Sequence, residues 1–241
     1  MESKIANYWY CLDSVFDDLL SKGYAKLPSL KNILSKEELE NIRNKAKDQL
    51  SDKTFLENSE SHNYLLDKLD VRTFLNPKIK TFLSKNFGFK EMMFNQYNVT
   101  RMVTPGNSKE QYRAHYDSHM ITIVYPILVP EIHENRDAGQ LIFFPFLRRE
   151  PKSELSNFIT KLFDKRFASK SGIEGLQKSK ISFIEAFERY EPLIFLGRTT
   201  FHTNKPVSSE FLDPRITFLS HYCDPTPELG IGSILRKIRN R

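Results

Sequence analysis

Two textures divide the chain near residue 90. Before it, apolar residues recur every three or four positions, the period of an amphipathic helix; after it they come in short bursts bounded by turn residues, as strands do. In the first part Asp13 and Ser14 stand where they would cap a helix carrying Val15, Phe16, Leu19 and Leu20 on one side and stopped by Gly23. Tyr24–Leu27, ended by Pro28, reads as a short strand or extended lead-in. Ser35 with Glu38 three residues later matches a capping box, in which each side chain satisfies the other's free backbone donor. Leu39, Ile42, Ala46 and Leu50 continue it as an amphipathic helix. A further helix is predicted to start at Asn76-Pro77, where proline's missing N–H costs nothing, and to end at Gly88 with Ile79, Phe82 and Leu83 inward.

From Lys90 the predicted strands are Met92–Val103, Tyr112–Asp117, Met120–Val129, Gln140–Phe146, Pro192–Leu196 and Arg215–Tyr222. Pro105-Gly106, Asp137-Ala-Gly139 and Asp213-Pro214 supply turns between them. Short strands at this spacing indicate an antiparallel sandwich or barrel. Pro151–Tyr190 interrupts the series with helical periodicity in Leu155, Phe158, Ile159, Leu162 and Phe163, and again in Ile181, Ile184 and Phe187. A helical insertion of this kind either covers a pocket mouth or packs at the periphery. The expected organisation is one domain over 1–241: a mostly helical part over 1–90, a β core over 91–222 with a helical insertion over 151–190, and a tail over 223–241 whose end, Ile234–Arg241, is basic. The fold class is mainly β with flanking helices (α+β).

Composition narrows the function classes. A chain of 241 residues can bury one sizeable core. Hydrophobic residues at 39% and charged residues at 27% match a soluble globular protein. The 19 Phe and 10 Tyr suit pleated, half-buried surfaces, and 9 Gly exclude a glycine-rich disordered chain. The net charge of +6 favours an anionic partner weakly, since basic residues spread over a solvated surface also serve solubility. Cys11 and Cys223 lie far apart, without metal-type spacing, and read as free thiols of a reducing compartment. Acidic residues stand where a signal peptide needs an apolar run, and no apolar stretch approaches the roughly 20 residues that span a bilayer. A cytoplasmic location is expected. No nucleic-acid motif or basic cluster interleaved with aromatics is present, so no nucleic-acid partner is expected.

The candidate chemistry sits in the histidines: His62, His115, His119, His133, His202 and His221. His115-Tyr-Asp117 places an imidazole and a carboxylate on one side of an extended segment. A second imidazole from a strand further along would complete a two-His, one-carboxylate triad, leaving one face of a metal open, as in non-haem iron(II) oxygenases. His202 and His221 both qualify by position; His119 competes with His115, and His133 falls in a polar, exposed-type loop. Downstream come Gly139-Gln-Leu-Ile-Phe-Phe-Pro145, Leu193-Ile-Phe-Leu-Gly197 leading into His202, Pro206-Val207, and Arg215-Ile-Thr217.

In this order the pieces resemble the cupin-fold 2-oxoglutarate and iron(II) dioxygenases, and within them the phytanoyl-CoA dioxygenase-like branch. Leu20-Ser-Lys-Gly-Tyr-Ala-Lys-Leu-Pro28 and Leu34-Ser-Lys-Glu-Glu-Leu39 are similar to that family's opening strand and helix. The resemblance runs from about residue 13 to residue 222 and implies a double-stranded β-helix (jelly-roll) core. It implies His115, Asp117 and His202 on Fe(II), with Arg215 on the distal carboxylate of 2-oxoglutarate and Thr217 sharing that carboxylate. The implied activity uses O2 to hydroxylate an unactivated carbon of a small-molecule, lipid-linked or sugar substrate. Tyr97 is a candidate second contact to 2-oxoglutarate or substrate; Arg101, on the same strand face, and Arg113 are candidates for an anionic substrate. The chain departs from the family after Pro145, where Phe146-Leu-Arg-Arg149 replaces the usual Gly-Ser-His turn.

Two other function classes fit parts of the pattern. A metal-dependent cupin enzyme that does not use 2-oxoglutarate has no need of Arg215. A non-catalytic binding protein on the same fold would tolerate loss of a ligand, whereas His115, Asp117 and His202 are all present.

Overall fold

The computed structural model describes residues 2–89, 94–107, 111–131, 136–150, 169–179 and 184–225. The expected helices over Leu155–Phe163, the loop of His133 and the basic tail lie outside these residues.

The N-terminal part is helical. Helices α1 (Glu2–Trp9) and α2 (Leu12–Lys22) follow one another almost without a break. Because α1 delivers the chain in helical backbone, the N-cap of α2 is Cys11, with no side-chain cap, and not Asp13 or Ser14. Gly23 ends α2 at φ 79 and donates to the Leu19 carbonyl. The capping box forms as expected at α3 (Lys36–Gln49): Ser35 Oγ accepts from the Glu38 amide at 3.1 Å, and Glu38 Oε2 accepts from the Ser35 amide at 2.9 Å. After α4 (Glu60–Lys68), helix α5 spans Val71–Phe87 and starts six residues before the expected Pro77. Burial of Val71 and Leu75 extends its apolar face. Each contributes roughly 1.5–3 kcal/mol, together enough to offset the cost of about 3 kcal/mol for an interior proline. Phe82 of α5 stacks on Phe16 of α2, ring centroids 4.5 Å apart.

Both sheets are antiparallel. The larger contains β1 (Tyr24–Lys26), β7 (Leu193–Leu196), β4 (Ile121–Leu128), β9 (Arg215–Tyr222), β3 (Gln96–Val103) and β2 (Phe55–Glu57), in that spatial order. The smaller contains β6 (Ile184–Ala186), β5 (Leu141–Phe144) and β8 (Phe201–Asn204). Ile184–Ala186 is therefore a strand, not the helix its periodicity suggested: pairing of Ala186 with Leu141 and Ile184 with Phe143 wins over local pattern. Helix α6 (Lys170–Lys178) is the described part of the insertion.

Strand alternation sorts the core into layers. Ile121, Ile123, Tyr125, Ile194, Leu196, Ile216, Phe218 and Tyr222 face the N-terminal helices. Val124, Leu193, Phe195 and Leu219 point the other way and meet Leu141 and Phe143 of the smaller sheet. Ile142, Phe144 and Phe201 on that sheet's far side are covered by Ile173 and Leu176 of α6. β4 is buried along its whole length, which is why its sequence is apolar almost throughout. Its Pro126 sits where the register with β9 shifts, a position that tolerates a missing N–H.

Candidate metal centre

The expected strand over Tyr112–Asp117 is instead a crossing segment, paired at a single residue. Tyr112 adopts φ 49, which breaks the extended run. The segment then follows β8 and the β7–β8 connection: the Tyr112 amide donates to Asn204 O, His115 and His202 exchange both backbone hydrogen bonds at 3.0 Å, and the Asp117 amide donates to Gly197 O. It thereby runs from the smaller sheet to the end of a larger-sheet strand. Alternation survives within it, so His115 and Asp117 still point to one side.

These main-chain contacts bring the three sequence candidates together. Ligand atoms of His115, Asp117 and His202 all lie within 4.8 Å of one another. Asp117 Oδ1 is 3.6 Å from His115 Nε2 and 3.7 Å from His202 Nε2. Bonds of roughly 2.1 Å at right angles bring cis donors to about 3 Å, so a bound ion needs closure by roughly half an ångström. Each imidazole is oriented for this. His115 Nδ1 donates to Arg113 O at 2.8 Å and His202 Nδ1 to Thr200 O at 3.1 Å, which leaves Nε2 with its lone pair. The donor set fits a non-haem iron(II) centre.

Electrostatics agree with that geometry. Burial pushes the Asp117 carboxyl up, but His202, His221 and His115 outweigh it and hold the group well below the usual carboxylate range. Burial lowers His202 to about 4 against the opposing pull of Asp117, so the ring is neutral at neutral pH. The three ligands differ in shielding: the His115 side chain is 50% exposed, those of His202 and Asp117 only 9% and 8%.

Close approach explains one glycine here. A Cβ on Gly197 would lie 2.6 Å from the His119 carbonyl oxygen, 2.8 Å from Asp117 Cβ and 3.2 Å from Thr122 Oγ1. Thr122 itself donates to Asp117 Oδ2 at 2.5 Å. Sequence reasoning reaches Gly197 only as the end of the segment leading into His202, and does not reach Thr122. Thr122 carried a readable signal, a small hydroxyl at an inward position of an otherwise apolar strand.

The remaining candidates divide. Arg215 is buried, donates from Nη1 to Gly139 O at 2.7 Å, and lies with Cζ 5.5 Å from the Phe187 ring. Gly139, at φ 78, lets its loop close on that guanidinium: a Cβ would lie 2.9 Å from Arg215 Cδ. Thr217 is buried two residues along the same face. Phe187 belongs to the apolar cluster between the sheets, as does Phe195, whose ring lies 4.9 Å from that of His202. Arg215 and the triad thus border the same interior. Tyr97 is turned differently, because its hydroxyl donates to Glu57 Oε1 at 2.5 Å. Its ring stacks against His119 and His221 at 6.0 and 6.1 Å. His221 stays outside the triad, bonded to Thr122. His62 is a core histidine, fully buried and bonded through Nε2 to Ser220 Oγ at 3.1 Å.

No family model and no curated protein matches this chain. Solved structures do. A prolyl-4-hydroxylase from Pseudomonas putida aligns with 88% of this chain and 98% of its own at 13% identity, with a TM-score of 0.53. The non-haem α-ketoglutarate-dependent carbocyclase SnoK of nogalamycin biosynthesis aligns with 92% of this chain and 90% of its own, also at 13% identity, with a TM-score of 0.56. The epimerase SnoN, solved with Fe3+, α-ketoglutarate and nogalamycin RO, aligns at 12% identity over 90% of this chain and 84% of its own, with a TM-score of 0.53. The chain therefore shares the fold of non-haem enzymes that depend on iron and α-ketoglutarate (2-oxoglutarate).

Proposed function

We propose that this protein is a non-haem iron(II), 2-oxoglutarate-dependent dioxygenase that hydroxylates an unactivated carbon of a small-molecule, lipid-linked or sugar substrate. The observation that carries this reading is the convergence of one ligand atom each from His115, His202 and Asp117 within 4.8 Å, on a fold shared with such enzymes. Two antiparallel sheets facing across an apolar interior support a double-stranded β-helix core. Placement in the phytanoyl-CoA dioxygenase-like branch rests on the motif order alone. No helix among the described residues is long and apolar enough to cross a membrane, and both cysteines are free thiols, which supports a cytoplasmic location.

In this reading His115, Asp117 and His202 hold iron, with backbone carbonyls fixing both imidazoles. When bound, iron would supply oxidation by O2 coupled to 2-oxoglutarate, one oxygen atom going to the substrate C–H bond and the other to the succinate left when 2-oxoglutarate loses CO2. Arg215 and Thr217 anchor the distal carboxylate, where a guanidinium offers paired donors in a fixed fork. Phe187 beside Arg215 and Phe195 beside His202, members of one buried apolar cluster, would exclude water from the site. Tyr97 contributes its ring face, with His119 and His221, to the wall of the site. Arg101, opposite Thr217 on β3, and the exposed Arg113 favour a substrate carrying negative charge.

Anaerobic titration of the metal-free protein with iron(II) and then 2-oxoglutarate tests the reading. A weak visible charge-transfer band should need both additions and vanish in His115→Ala and Arg215→Ala. Iron binding without a band would remove 2-oxoglutarate and leave a different metal-dependent activity of this fold.

A further inference from the structure

The two carboxylate oxygens of Asp117 have different surroundings. Oδ1 faces both triad imidazoles, at 3.6 and 3.7 Å. Oδ2 is turned to the β4–β9 pair, where it accepts the Thr122 hydroxyl at 2.5 Å. Thr122 has one proton and gives it to Asp117, so in the 2.9 Å contact between Thr122 Oγ1 and His221 Nδ1 the imidazole N–H is the donor. The result is a directional relay, His221 to Thr122 to Asp117. Sheet register sets it, because Thr122 and His221 stand directly opposite one another on neighbouring strands. Thr122 and Asp117 are buried, so water does not compete for these bonds.

We propose that Thr122, oriented by His221, is a positioning residue that keeps Asp117 a one-oxygen ligand. The proposal rests on the reading that His115, Asp117 and His202 hold the metal. A triad of three donor atoms leaves three of six positions open, which a chelating 2-oxo acid (two) and O2 (one) fill between them. A carboxylate bound through both oxygens would take a fourth position and leave no place for one of the two co-substrates. With its hydrogen bond to Thr122 in place, Oδ2 is held out of that role.

The test uses the metal-free full chain and Mn(II) alone, read by water-proton relaxivity per bound ion, which reports the inner-sphere waters on the open positions. The wild-type protein and Thr122→Ser should give the same value. Thr122→Val should lose about a third of it, two waters replacing three on the open positions. Thr122→Ala removes the same hydroxyl without adding a methyl and decides the matter if the valine does not fold. A merely structural threonine would lower the melting temperature in these variants and leave relaxivity per bound ion unchanged, which would overturn the proposal. Failure of the underlying reading looks different: wild-type protein would not bind Mn(II), or His115→Ala would bind it equally well.

Discussion

Replacing Gly197 by alanine perturbs the centre by one methyl group placed where there is no room. Ordinary contact begins near 3.4 Å, whereas the new Cβ would meet Asp117 Cβ at 2.8 Å and the His119 carbonyl oxygen at 2.6 Å. Relief requires those atoms to move by 0.6 and 0.8 Å respectively (3.4 − 2.8 and 3.4 − 2.6). Both neighbours are backbone or backbone-adjacent, so no flexible side-chain end can give way. Overpacking of this kind costs about 1–3 kcal/mol, and a metal site tolerates only roughly 0.2 Å in ligand distance. Iron(II) affinity should therefore fall by about 10–100-fold, the range for losing an outer-shell support. Anaerobic calorimetry with iron(II), beside a thermal melt, reads both effects. Gly175→Ala is the control: its Cβ meets nothing within 4 Å, so that variant should be slightly more stable, as alanine is in a helix, with unchanged affinity. Wild-type affinity in Gly197→Ala would refute the idea that the close approach of Gly197 sets the position of Asp117.

Three further outcomes are expected. Arg215→Lys should weaken 2-oxoglutarate binding by at least about tenfold, because an ammonium cannot supply two parallel bonds, while iron binding stays as it was; equal co-substrate affinity in the titration would remove Arg215 as the anchor. His62 is pushed down to about 3, first by burial and then by His221, so the unfolded chain takes up a proton below about pH 6.5 that the folded chain refuses. Stability is thus full above that value and falls on acidification, by about 2–3 kcal/mol from this group at pH 4.5; urea unfolding of His62→Gln should show a smaller loss between pH 7 and 4.5 than the wild type. Ser35→Ala breaks the capping box of α3 and should cost about 1 kcal/mol in the same urea assay.

The sequence made some parts legible because their cause is local. The Ser35–Glu38 box needs four consecutive residues, and alternation along Arg215–Tyr222 survives because the two faces of β9 differ: Ile216, Phe218 and Tyr222 pack on the N-terminal helices, while Arg215, Thr217 and His221 face the other way. Other elements have no local cause. β8 is four residues, Phe201–Asn204, with polar side chains at three positions; it is a strand because Leu141–Phe144 lies beside it. The same dependence turned Ile184–Ala186 from helix to strand and reduced Tyr112–Asp117 to a crossing segment. His115 and Asp117 were readable from their spacing, whereas the choice of His202 over His221 needed the family's motif order. The structure separates the two by what each ring nitrogen touches: His221 Nδ1 faces the Thr122 hydroxyl, while His202 leaves Nε2 open.

The crossing segment has a consequence for how this site can change. Its alignment with β8 and the β7–β8 connection is fixed by amide-to-carbonyl bonds from His115 to His202 and back and from Asp117 to Gly197, not by the side chains that meet there. The spacing of the ligand positions 115, 117 and 202 is therefore inherited whatever side chains those three carry, so long as residue 197 stays small. A substitution at one position alters the chemistry on offer without redrawing the socket, so reactivity can drift by single steps while the scaffold stays intact.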